Sequence, residues 1–197
     1  MTKKLSTASI GVMEAIQQRR AVRSYTPQKL DEITVRALLG AAVRAPTAIH
    51  EEPWSFVVIQ DMALLKRLSD HAKIFFESEM ERHHLDRGGH ALDSFRRPDF
   101  NIFYNASTLI AICSKPIGPF VTADCWLAAE NLMLAAYALG LGTCVIGSAV
   151  SGLNSREGKS ALGIPNDVSV IAPIIVGVPN GETPLSPRKQ PQILVWK

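Results

Sequence analysis

The chain has 197 residues, 47% of them hydrophobic, enough to bury a substantial core, and a single domain over residues 1–197 is the expectation. Its 21 basic and 18 acidic side chains leave a net charge of +3 with no Lys/Arg run of five or more, so the electrostatic footprint of a nucleic-acid binder is missing while a local basic pocket for a small phosphate stays allowed. Cys113, Cys125 and Cys144 form no Cys-x-x-Cys pair and sit in apolar surroundings, which reads as reduced core thiols in a cytoplasmic protein.

The basic start, Met1 to Lys4, leads into a stretch interrupted by Ser6, Thr7 and Ser9, which argues against a signal peptide. Ile10, Met13 and Ile16 recur at helical spacing and run into Arg19, Arg20 and Arg23, with Pro27 ending the element; a first helix is therefore expected to deliver three guanidinium groups at its C-terminal end. Such forks suit a phosphate and a second electron-rich group, and equally suit a solvated helix terminus. Asp31 is the expected N-cap of a second helix carrying Ile33, Leu38, Leu39 and Ala42, stopped by Pro46. A loop over Pro46–Pro53 then enters a strand, Trp54–Ile59, whose unbroken apolar run predicts burial on both faces.

A third helix is expected from near Asp61 through Phe75. Residues 81–100, with His83, His84, Arg87, Gly88, Gly89, His90, Arg96 and Arg97, form a polar excursion longer than most connections. Thr108–Cys113 reads as a strand, and Val121–Leu139 as a helix apolar on most sides, suited to a central place or a subunit interface. The apolar stretch Trp126–Val150 is interrupted by Glu130, Asn131 and several glycines, so it fits a buried helix and strand and not a membrane span. Further strands are expected over Thr143–Ile146 and Val168–Val176, the latter broken by Pro173, with a helix around Asn154–Leu162 between them.

Gly140-Leu141-Gly142 lacks the third glycine of a dinucleotide fingerprint and joins helix to strand, the reverse of the order that motif needs. Gly140 reads as a helix C-cap, with Gly142 easing the turn. The histidines, including the adjacent His83 and His84, have no metal-ligand spacing, no Gly-x-Ser-x-Gly elbow occurs, and no carboxylate pair advertises acid–base work. No metal site is expected.

Arg19-Arg20-Ala21-Val22-Arg23-Ser24-Tyr25, the Pro46–Phe56 loop and strand, Gly140-Leu141-Gly142 and the basic tail Arg188-Lys189 occur in that order. With these four pieces the chain resembles the FMN-dependent nitroreductase family over nearly its whole length. Ala21 replaces a common phosphate-binding Ser of the family, and His50 and Glu52 stand where Asn and Gln are usual.

The resemblance implies an α+β fold, a mixed and mainly antiparallel sheet flanked by helices, in an intertwined homodimer with two FMN sites at the interface. It further implies FMN phosphate held by Arg19, Arg20, Ala21, Arg188 and Lys189, and Arg23 near N1 and the C2 carbonyl of the ring. The backbone of Val145, Ile146 and Gly147 would lie against the ring, with an amide near Ile146 or Gly147 directed at N5. Pro46, Thr47, Ala48 and His50 would come from the other subunit, and Ile193–Trp196 would lie along the partner's sheet edge. The implied activity is hydride transfer from NAD(P)H through flavin N5 to a nitroaromatic, quinone or similar acceptor by a ping-pong mechanism, the flavin and no side chain carrying the chemistry. Other activities on the same fold (dehalogenation, ring dehydrogenation, flavin breakdown), a non-catalytic FMN-binding protein and a phosphate-ligand regulator remain open on sequence alone.

Overall fold

The computed structural model describes residues 10–82, 93, 95–115 and 117–197. Its helices are α1 (Val12–Gln18), α2 (Glu32–Ala42), α3 (Met62–Arg82), α4 (Val121–Ala138), α5 (Val150–Asn154) and α6 (Arg156–Leu162), and its strands β1 (Ser55–Ile59), β2 (Thr108–Ser114), β3 (Gly142–Val145) and β4 (Ser169–Gly177). The strands form one sheet in the order β1-β2-β4-β3, every named pair antiparallel. This is the expected α+β architecture. The only parallel element among the described residues is an isolated bridge between Ala21 and Thr143. The predicted excursion through His83, His84, Arg87, Gly88, Gly89 and His90 lies outside the described residues.

Local chemistry sets the helix ends. The Asp31 carboxylate accepts from Thr34 N at 2.7 Å, and the Asp61 carboxylate accepts from Ala63 N and Leu64 N ahead of α3, each satisfying amides that the first turn leaves unpaired. Gly140, at φ 74°, closes α4: its N–H donates to Tyr137 O and that of Leu141 to Ala136 O, the left-handed termination that glycine favours. The helix expected around Asn154–Leu162 is α6, which starts where the Ser155 hydroxyl accepts from Gly158 N; the short α5 precedes it.

The two central strands carry the core. Along β2, Ile110 and Ile112 face a cluster built from α2 and α4, whereas Leu109, Ala111 and Cys113 face one built from α3, α5 and residues 102–106. Along β4, Ala172, Ile174 and Val176 face the first layer and Val170 and Ile175 the second. A sheet covered on both faces accounts for near-continuous apolar runs. Two strand expectations are corrected. β1 is an edge strand with Ser55 exposed and Val58 38% exposed, so its apolar run does not mean burial on both faces within the protomer. Pro173 does not break β4: it pairs with Ala111, and its carbonyl accepts from Ile146 N just past the end of β3, where the ladder no longer needs the N–H that proline lacks.

Gly152 lets α5 approach α3, since a Cβ there would lie 2.5 Å from Ala72 Cα and 2.9 Å from Ala72 Cβ. The obstacle is backbone, which cannot turn aside. Gly152→Ala is expected to destabilise the fold by about 1–3 kcal/mol, the usual range for overpacking, visible as a lowered midpoint in thermal or urea unfolding.

Candidate functional site

The arginine cluster is not helical. α1 stops at Gln18, and Arg19 already has extended dihedrals, φ −56° and ψ 136°. Residues 21–26 instead run beside β3 and the segment that follows β4, tied by Val22 N to Thr143 O, Thr26 N to Val178 O and Asn180 N to Ser24 O, each at 2.9 Å. Gly142 permits this approach: a Cβ there would stand 2.8 Å from three side-chain atoms of Val22. Its role is close packing and not the easing of a turn. An extended chain turns alternate residues to opposite sides, which divides the three arginines.

Arg23 opens onto a recess of about 180 Å³ lined also by Tyr104, Cys144, Val145, Ile146 and Gly147. Thus the structure brings Arg23 to the Val145–Gly147 backbone. Arg20 faces elsewhere, into a cavity of about 520 Å³ with Val22, Thr143, Tyr137 and Glu182. Its Nη1 donates to Gln17 O and Arg19 O, both at 2.7 Å, tying down the end of α1, and its Nε is buried with no partner among the described residues. Arg19 forms a loose ion pair with Glu130 of α4, Nε to Oε1 3.4 Å. Ala21, between Arg20 and Arg23, is exposed.

Two of the backbone amides at the recess differ in availability. Ile146 N–H is committed to Pro173 O at 2.9 Å. Gly147 is exposed, its N–H has no partner among the described residues, and a Cβ built on it would meet nothing within 4 Å. Of the two, Gly147 is the amide that can bond a ligand, so the expectation narrows to that residue.

Electrostatics at the recess come chiefly from Arg23, whose Cζ lies 5.9 Å from the centroid of the Tyr104 ring, within cation–π range. Burial pushes the Cys144 thiol up, opposed by the positive charges of Arg23 and Arg19. Tyr25 is raised far above the usual phenol range by burial, with its hydroxyl donating to Val22 O at 2.7 Å. Both groups are therefore neutral at physiological pH and serve as packing. Tyr104 escapes the sequence reading, and Cys144 reads there only as a core thiol. Tyr104 reaches the recess through a left-handed turn, φ 50° at Tyr104 and 54° at Asn105, braced by Asn101 Nδ2 donating to Asn105 Oδ1; the paired asparagines are its only mark in the sequence.

The Pro46–His50 loop lines neither cavity. Ala48–His50 forms a single 3-10 turn, Ile49, His50 and Glu52 take positive φ, and Ala48 N donates to the Asp124 carboxylate. Arg188 and Lys189 are exposed and make no hydrogen bond or ion pair among the described residues. Ile193–Trp196 forms no strand within the protomer, and Leu194 and Trp196 are each 86% exposed. No helix among the described residues is long and apolar enough to cross a membrane.

The model of the Nitroreductase family matches residues 16–178. A protein of Archaeoglobus fulgidus provisionally named NADH dehydrogenase/NAD(P)H nitroreductase is 27% identical over 175 residues, covering 86% of each chain. The iodotyrosine deiodinase of Thermotoga neapolitana is 24% identical over 180 residues, covering 88% of this chain and 91% of that one. In fold, the crystal structure of a nitroreductase with bound FMN from Bacteroides fragilis superposes with a TM-score of 0.78 at 24% identity, covering 93% of this chain and 96% of that one. The family match spans both the arginine segment and the Val145–Gly147 backbone, and on it this chain belongs to the Nitroreductase family.

Proposed function

We propose that the protein is an FMN-dependent oxidoreductase that moves hydride from NAD(P)H to a nitroaromatic, quinone or similar acceptor, acting as a homodimer by a ping-pong mechanism. The observation that carries this reading is the recess in which the Arg23 charge and the unpartnered Gly147 amide face the same space. A Cβ-free, open backbone at Gly147 fits a flat ring lying close to the main chain, and a fixed cation with a fixed amide fits a ring that gains negative charge on reduction. Relatives named for NAD(P)H nitroreductase activity and a neighbour holding FMN support the same assignment.

When bound, FMN would supply the redox chemistry, taking up hydride at N5 and passing it on. The chain binds and orients. Arg19 and Ala21, on the same side of the extended segment as Arg23, would hold the phosphate end together with Arg188 and Lys189, while Arg20 anchors the end of α1. Arg23 would stand at the pyrimidine edge, and Gly147 N–H would bond the ring. A recess of about 180 Å³ falls below the ~300–1,000 Å³ of usual ligand sites; a second subunit, contributing the Pro46–His50 loop, would supply the missing wall.

The test of the binding claim is equilibrium dialysis with FMN and with riboflavin. Tighter binding of FMN supports a phosphate site, and equal affinity for both contradicts it. The electrostatic role of Arg23 gives a separate expectation. Arg23→Gln removes a charge that favours the reduced, more negative ligand, so the two-electron midpoint potential should fall by tens of millivolts, ~30 mV corresponding to about 1.4 kcal/mol. Dye-coupled titration reads the potential and fluorescence the affinity of the same variant. An unchanged potential with strongly weakened binding would assign Arg23 to the phosphate instead.

A further inference from the structure

We propose that Asp124 is a positioning residue, a buried anchor that fixes the Pro46–His50 loop in the shape its ligand needs. The inference rests on the proposed function for the identity of that ligand, FMN, and on the geometry for the anchor. Asp124 lies in the first turn of α4 at 3% exposure, and among the described residues the Ala48 N–H, 76 residues away in the chain, is the hydrogen-bond donor that reaches its carboxylate, 3.3 Å from each oxygen. No Lys or Arg pairs with it among the described residues. A carboxylate withdrawn from water with so little compensation is costly, and stability alone would be served as well by an apolar side chain.

What the anchor holds is a strained segment. Immediately beyond Ala48, Ile49 and His50 take φ of 49° and 59°, and Glu52 takes 44°. For side chains other than glycine, and for β-branched Ile49 above all, this region is unfavourable and persists only where surrounding contacts over-determine it. The Ile49 side chain is 79% exposed, so its own packing does not compensate. Among the described residues the Ala48–Asp124 hydrogen bond is the one that links this turn to α4. It also leaves the exposed His50 and Ile49 displayed at the surface. A loop tethered by a buried acid, with exposed apolar and imidazole groups at its tip, is organised before anything binds to it.

The test uses the full chain and compares Asp124→Ala, Asp124→Asn and Ala48→Pro. Asparagine keeps an acceptor oxygen for Ala48 N–H. Proline removes the donor while leaving Asp124 in place; Thr47, at φ −128° and ψ 149°, already has the conformation that precedes proline. Hydrogen exchange over residues 46–50 reads the anchor, and FMN affinity reads its consequence. Asp124→Ala should speed exchange of the loop and weaken FMN binding about 10-fold, and Asp124→Asn should restore both to within about 3-fold. Ala48→Pro should weaken FMN to a similar extent, and the double variant Asp124→Ala with Ala48→Pro should be no weaker than either single one, because coupled partners are not additive.

Unchanged exchange in Asp124→Ala overturns the anchor. Faster exchange with unaltered FMN affinity, or strict additivity in the double variant, overturns the link to the ligand. Should Asp124→Ala fail to fold, Asp124→Asn and Ala48→Pro carry the same comparison. A wild-type chain that binds no FMN at all contradicts the proposed function and the ligand part of this inference together, whereas the exchange measurement still decides the anchor.

Discussion

The double variant Arg19→Ala with Arg188→Ala is expected to lose FMN affinity by roughly two to four powers of ten, since two charge-assisted contacts of ~1.5–3 kcal/mol each are removed from one phosphate. The fold should be nearly untouched. Among the described residues the Arg19 side chain makes only the loose contact to half-exposed Glu130, and Arg188 is exposed; a long, partly exposed pair of this kind contributes ~0–1 kcal/mol. Riboflavin, which has no phosphate, should bind the variant about as well as it binds the wild type. Fluorescence titration with both ligands, beside a thermal melt without ligand, separates the outcomes. A double variant that purifies with full, salt-resistant FMN occupancy would remove both residues from the phosphate site.

Deletion of residues 191–197 is expected to lower dimer stability and FMN retention together. Within one protomer this tail finds no cover: Ile193, Leu194, Val195 and Trp196 are all exposed. Four large apolar side chains in sequence are a surface that seeks a partner, and full burial of each is worth ~1.5–3 kcal/mol before the cost of association is counted. Further exposed apolar groups lie on α1 (Val12, Met13 and Ile16) and on α4 (Trp126 and Leu127), so a second copy has more than the tail to cover. Sedimentation of wild-type and truncated protein over a range of concentrations reads the dimer, and absorbance of the same samples reads the flavin. A truncated chain that is monomeric yet keeps wild-type flavin content would show that the site lies within one subunit and that the partner loop is dispensable.

What the sequence reveals about this fold is what local interactions decide. The Asp31 cap, the end of α4 at Gly140 and the apolar circumference of α4 depend on neighbours a few residues away, and each was legible. The strand run Thr108–Cys113 was legible for a different reason: burial on both faces leaves no polar position to confuse the pattern. Misreadings arose where a distant segment decides. The Trp54–Ile59 run has much the same apolar look as β2, yet only the order of strands in the sheet makes β1 an edge. Helical spacing suggested that Arg19, Arg20 and Arg23 act together; pairing of residues 21–26 with β3 and with residues 178–180 imposes extended geometry and sends Arg20 into a separate cavity. Likewise, the glycine at 142 is explained by Val22, 120 positions earlier.

At the candidate site the same division holds. The Val145–Gly147 segment is singled out by its motif, but which amide is uncommitted is decided by the hydrogen bond from Ile146 N–H to Pro173 O. Tyr104 and Asp124 act through a left-handed turn and a long-range contact respectively, and neither leaves a spacing pattern that a single sequence displays.

On the proposed function, these residues assemble a flavin site that accepts electrons from a reduced nicotinamide. The decisive measurement loads the purified protein with FMN, removes unbound ligand, and mixes it anaerobically with NADH or NADPH while flavin absorbance is followed. The expected result is retention of FMN near one per chain, rapid bleaching by at least one of the two donors, and recovery of the oxidised spectrum when a quinone or nitroaromatic is added. Retained FMN that neither nucleotide bleaches would contradict the enzyme and leave a flavin-binding protein in its place.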